Sequence, residues 1–200
     1  MRKTTGLQHG ALCPSCVNQR ISLLPLLYVN PSRIEADMRS NRTKYMKNET
    51  DRVFFNSTIR QTVQVSTDAE HIRLRVSNAF GGSDLPIAAV TIALPESEEN
   101  GGAGTSAIKA KTLRTLTFSG SKDFTVPMGA LAVSDPVRFN VKAESVVTVS
   151  MYLAEGQETN EITAHPGSRT TSWFSFGNHV DGRDLTGSTQ KVEHWYVYPL

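Results

Sequence analysis

The sequence predicts an all-β fold: a β-sandwich, jelly-roll-like, of about nine short antiparallel strands behind an irregular N-terminal arm. Three observations carry this. After residue 50, apolar and polar residues alternate at period two in run after run. Clusters of Gly, Pro, Asn, Asp and Ser punctuate the runs at short spacing. No stretch beyond residue 50 has the apolar spacing of an amphipathic helix. The chain therefore divides into an arm, 1–50, and a sandwich domain, 51–200.

The arm mixes Cys, Pro, Asn and basic residues without sustained period. Ile34 to Lys47 could form a short helix, but its apolar positions are few. The first strand pair follows. Ile59, Val63 and Val65 alternate with Arg60, Thr62 and Gln64, and Ile72, Leu74 and Val76 alternate with Arg73, Arg75 and Ser77. Each run should bury one face and wet the other. The polar stretch Ser66 to Glu70 between them has the length of a hairpin connector. Asn78-Ala79-Phe80-Gly81-Gly82 then turns the chain sharply.

Further strands are expected over Ala88 to Leu94, Leu113 to Phe118, Phe124 to Val126 and Ala130 to Val133. Pro95 to Ser106 is an acidic, Gly-rich loop without core-forming residues. Ser134-Asp135-Pro136 turns into a strand in which Val137, Phe139 and Val141 alternate with polar residues. Val146 to Leu153 is apolar and β-branched enough to be buried on both faces. Thr163 to Gly177 is aromatic and turn-rich, Asp181 to Ser188 is a polar turn, and Val192 to Tyr198 is a final strand. The expected core is Val63, Val65, Ile72, Leu74, Val76, Val90, Ile92, Phe139, Val141, Val147, Val149 and Trp173. Each aliphatic, fully buried, contributes about 1.5–3 kcal/mol before entropy is subtracted.

Composition narrows the function classes. The 200 residues are 38% hydrophobic and 20% charged, as in a globular domain, with a net charge of +2. That balance, without a Lys/Arg block or aromatic-basic stripe, argues against a nucleic-acid partner. No apolar run reaches the roughly 18 residues of a membrane helix. Cys13 and Cys16 form CPSC, half of a zinc or redox motif; with no second pair, the reading preferred is a chance pair in the arm. Ile21 to Val29 has an apolar centre, but Pro25 and the missing cleavage site make a poor signal peptide.

The sequence carries few catalytic signatures. Neither GxSxG nor a GDS nucleophile block occurs, and Gly82-Ser83-Asp84 holds those residues in another order. Asp68 to His71 has the DxxH spacing, but it falls in an expected turn with no serine to activate. His9, His71, His165, His179 and His194 are scattered, so neither a metal nor any other cofactor is expected. The most site-like text is His165-Pro166-Gly167-Ser168-Arg169-Thr170-Thr171-Ser172-Trp173-Phe174. His165, Arg169, Thr170 and Trp173 offer imidazole, guanidinium, hydroxyl and aromatic groups suited to a sugar, a carboxylate or a neighbouring domain. The plainer alternative is that Trp173 and Phe174 cap the core while Arg169 pairs locally.

Four segments, STIRQTVQVS, IRLRVSNAFGGSDLPIAAVTIAL, HPGSRTTSWFSFGN and VEHWYVYPL, together resemble the N-terminal β-rich domain of secreted GDSL/SGNH-type lipase/acylhydrolase proteins. The resemblance spans about Asp51 to Pro199. It implies that a catalytic α/β/α domain with the GDS serine and a C-terminal DxxH follows this domain in family members. It implies that this chain stops about where the linker to that domain would start, and that no catalytic residue is carried over. It also implies an extracellular protein, for which Asn41, Asn48 and Asn56 would be N-glycosylation acceptors. The arm departs from the usual start of such proteins.

The leading expectation is thus a non-catalytic accessory domain of an ester hydrolase, packing on or assisting its SGNH catalytic domain. Asn78, in the family-like turn, joins His165, Arg169, Thr170 and Trp173 as a candidate binding or docking residue. The alternative is a stand-alone carbohydrate-binding, lectin-like module with Trp173, Trp195 and Tyr196 stacking on sugar rings, an expectation resting on fold analogy.

Overall fold

A computed structural model describes residues 52–96, 104–159, 161–163 and 172–185 in full, and the backbone at 19–23, 171 and 190–194. The strands are β1 (Gln19–Leu23), β2 (Ser57–Gln64), β3 (Ala69–Ser77), β4 (Leu85–Ile87), β5 (Ala89–Ala93), β6 (Arg114–Thr115), β7 (Phe124–Val126), β8 (Leu131–Val133), β9 (Val137–Val141), β10 (Val146–Leu153), β11 (Thr171–Phe176) and β12 (Gln190–His194). The helical content among them is a single 3-10 turn, Ala110–Thr112. The all-β expectation is met.

Two sheets pack face to face. One has the order β12-β11-β2-β10-β5-β6; the other has β3 at its centre, with β1 on one side and β8 and β9 on the other. β4 and β7 form a separate pair at the margin. Ile59, Val90, Ile92, Val149 and Met151 of the first sheet meet Ile72, Leu74, Val76, Phe139 and Val141 of the second in one buried cluster. Branched side chains on adjacent pleats explain this core, since each fits between its cross-strand neighbours.

The expected hairpin of β2 and β3 does not exist. β2 pairs with β10 and β11, whereas β3 pairs with β1, β8 and β9 in the other sheet. The connector is an arch across the core. It stacks on the equivalent arch from β9 to β10: Val65 N–H donates to Ser145 O (2.9 Å), and Glu144 N–H to Val65 O (2.8 Å). Asp68 accepts from Ala143 N–H at 2.7 Å, closing the same end. Period two reports how a strand is buried, not which strand it pairs with.

The expected wet face of β2 is also overturned. Arg60 and Thr62 are buried together with Ile59, and only Gln64 at the end is exposed. β10 is buried on both faces, as its composition suggested. Three strands went unanticipated: β1, inside the segment expected to be irregular and parallel to β3; the short β4; and β11, within the aromatic stretch.

Candidate functional site

The first functional question is what buries the outer face of the six-stranded sheet. Register puts Trp173, Arg60, Ser150 and Thr91 in one row across four strands. Thr58 and Ser175 lie one row away, and Thr148 and Thr62 lie on the opposite side. All are buried. The segment 177–185 lies over this face, fastened by directional bonds. Thr58 Oγ1 donates to Gly177 O (2.6 Å) and accepts from His179 N–H (2.9 Å). Thr91 Oγ1 donates to Val180 O (2.6 Å).

Arg60 is the centre of that arrangement, with no exposed surface. Its Nε donates to Ser150 Oγ (2.7 Å), one terminal nitrogen to Ser106 O (2.7 Å), and the other to Gly182 O (2.7 Å) and His179 O (3.2 Å). Burial pushes its pKa down to about 10, partly offset by Asp184 and Asp181. The guanidinium stays charged at neutral pH, and its planar fork explains why arginine occupies the site. Asp184 accepts from Ser106 Oγ (2.6 Å), which in turn accepts from Leu185 N–H. Arg60, Thr58, Thr91, Ser150, Ser106 and Asp184 all bond to other groups of the chain, so their polar atoms serve the fold, whereas the buried Thr148 hydroxyl has no protein partner.

At one end of the sandwich, Asn78 organises the family-like turn. Its Nδ2 donates to Ser83 O (2.8 Å) and Val126 O (3.1 Å), and its Oδ1 accepts from Gln157 Nε2 (3.3 Å). Its backbone O accepts from Gly81 N–H and Gly129 N–H. A Cβ at position 81 would collide with the Asn78 amide, which is why Gly81 stands there. The two turns tied together by Asn78 carry Phe80 (77% exposed) and Met128 (61%), and Leu131 (52%) follows on the strand paired with Ser77. These are large apolar side chains set in solvent on tightly bonded supports.

Of the candidate binding or docking residues, Asn78 and Trp173 fall within the described residues. Both are buried, Asn78 in the turn after β3 and Trp173 on β11 beside Arg60. Trp173 presents no open ring for a sugar. His165, Arg169 and Thr170 lie outside the described residues, as do Cys13, Cys16, Asn41, Asn48, Trp195 and Tyr196. Asn56 is exposed, and its Oδ1 accepts from Tyr152 Oη at 2.8 Å. The Asp68 to His71 spacing does not lie wholly in a turn as expected: Asp68 is in the connector, bound to Ala143 N–H and Lys142 Nζ, while the half-buried His71 is inside β3 opposite Arg138. Ser83 and Asp84 are occupied as well: Ser83 Oγ accepts from Glu158 N–H, and Asp84 Oδ1 from Met128 N–H.

Two concavities are formed by the described residues. A cavity of about 20 Å³ lies between Ile59, Met151, Asn78 and Gln157, room for roughly one water. A groove of about 480 Å³ runs between the Lys111–Arg114 segment and β9. Among the described residues, no group of His, Cys, Asp and Glu is placed to hold a metal, and no helix is long and apolar enough to cross a membrane. Neither protein-family models nor curated proteins give a match to this chain.

Proposed function

We propose that the chain is a non-catalytic β-sandwich module of a secreted GDSL/SGNH-type ester hydrolase, which packs against a catalytic domain. The observation that carries the reading is the exposed apolar trio Phe80, Met128 and Leu131, held beside the turn with the most family-like text. Burying such a patch against a partner removes apolar surface from water at no ordering cost to the already fixed turns. The residue chemistry agrees: the buried polar groups at Arg60 and Asn78 are engaged in holding the fold. The exposed Asn56 acceptor fits an extracellular setting.

The test is enzymatic and then physical. The full chain should not hydrolyse p-nitrophenyl butyrate above the buffer rate. Turnover that disappears on alanine replacement of a residue of this chain would sink the proposal. An SGNH catalytic domain expressed separately should bind the chain, and Phe80→Ser with Met128→Ser should weaken that binding by about tenfold or more.

A further inference from the structure

The groove between β6 and β9 is lined by none of the apolar trio. Leu94 and the buried Phe139 contribute apolar surface, and Lys111, Arg114 and Arg138 supply three cations from its two walls. Among the described residues lining it, none is acidic. Arg114 Nη1 donates to Leu113 O (2.8 Å), which holds the guanidinium in place, and no carboxylate among the described lining residues offsets its charge.

One wall is the edge of β9, and the other is the 3-10 turn with Arg114 of the short β6. Within the described sheets, β6 pairs only with β5, and β9 pairs only with β3. One end of the groove is closed by a clasp: Asp135 N–H donates to Thr117 O (2.7 Å), and Thr117 Oγ1 donates to Asp135 Oδ2 (2.6 Å). The five residues of β9 thus offer an edge about 16 Å long beside the groove. An open edge is a template for an added strand. Cations along it repel a second copy of the same edge and attract a chain carrying carboxylates.

We propose that this groove receives an extended acidic peptide segment, which adds as a strand to the free edge of β9. Its backbone pairs with β9 while alternate carboxylates meet Arg138 on one wall and Lys111 and Arg114 on the other. Charge selects the sequence, and backbone pairing fixes the conformation. No aromatic ring is open in the groove, Phe139 being buried, so base stacking of a single-stranded nucleic acid has no platform there. This inference is independent of the accessory-domain reading, because it uses a different surface.

The probe is a fluorescein-labelled peptide of repeated Glu-Thr, followed by anisotropy with the full chain. Binding should weaken as salt rises, and the Lys-Thr counterpart should not bind. A Glu-Pro repeat of equal charge, lacking half of the backbone N–H donors, should bind about tenfold more weakly. The combined Lys111→Glu, Arg114→Glu, Arg138→Glu variant should lose about tenfold or more. Arg138→Gln alone, at an exposed site, is the variant to use if the triple one does not fold, with about threefold expected. Equal binding of the Glu-Pro and Glu-Thr peptides, an unchanged affinity in Arg138→Gln and the triple variant, or no binding of the Glu-Thr peptide at millimolar concentration would each overturn the proposal. Equal competition by an oligogalacturonide would overturn it too, by showing recognition of charge alone.

Discussion

The two faces of the six-stranded sheet are buried alike and held by different physics. On the inner face, Ile59, Val90, Ile92, Val149 and Met151 pack against the second sheet. That contact is apolar and non-directional, so its strength follows the area removed from water. On the outer face, Arg60, Thr58, Thr91 and Ser150 bind backbone oxygens and one another at defined distances. There, pairing offsets the cost of burying these four side chains, and a missing partner costs more than the bond itself. The inner face joins two sheets; the outer face fixes one loop in one place.

Arg60→Ala is the strongest challenge to this contrast. It strips Ser150 Oγ and the carbonyls of Ser106, His179 and Gly182 of their shared donor. The expected cost is about 3–5 kcal/mol by denaturant unfolding, the range for breaking a buried charged network. Hydrogen exchange should rise most at His179, Leu185 and Ile108, whose amides depend on the covering segment. Uniform exchange changes across both sheets would mean that the outer face is no separate unit.

Ile92→Ala probes the inner face. A loss of about 2–4 kcal/mol is expected, from transfer and cavity terms together. Its exchange signature should be global, because the core is shared by both sheets. A loss confined to the segment 177–185 would erase the distinction between the faces.

Thr91→Val keeps shape and removes one hydroxyl from the outer face. Val180 O then loses a 2.6 Å donor, with an expected cost of about 1 kcal/mol. The readout is the unfolding midpoint at constant m-value. No change would show that the hydroxyl bonds are incidental and that Arg60 alone holds the segment.

The smallest effect is a pH dependence at the clasp beside the groove. The Thr117 hydroxyl, then Gly120 N–H, holds the Asp135 carboxyl below its ordinary value of 3.8. A depressed carboxylate stabilises the fold fully above the unfolded value and loses that contribution as pH falls through the folded one. The native chain should therefore lose Tm more steeply than Asp135→Asn below pH of about 4, and the two should run parallel near neutrality. Parallel curves throughout would remove Asp135 from the acid response.

Much of the strand pattern was legible in the residues. The runs at Ile72 to Val76, Val137 to Val141 and Val146 to Leu153 all became strands, because β-branched alternation is a local property. The pairing was not legible, since neighbours 82 residues apart along the chain meet only in the folded state, as Gln64 and Val146 do. The burial of Arg60 left one faint trace. The outer positions of β2, β10 and β5 hold Thr58, Arg60, Thr62, Thr148, Ser150 and Thr91, without a single lysine or acid. A strand face in water ordinarily carries such charges, and their absence was the available signal. For the candidate loop, the text around Trp173 suggested a binding surface, whereas register put that ring beside Arg60 and out of solvent.

The sequence by itself determined the all-β class, the core residues of the paired strands and the sharp turn at Gly81. These follow from side-chain period and backbone sterics, which act over a few residues. Only the tertiary structure decided that β2 and β3 arch into opposite sheets, and that an arginine on an apparently wet face binds a loop more than 110 residues away. It alone decided that cations from β9 and the Lys111–Arg114 segment border one groove. The reason is physical: whether a polar face meets water or another segment depends on what folds over it, and no local pattern contains that partner.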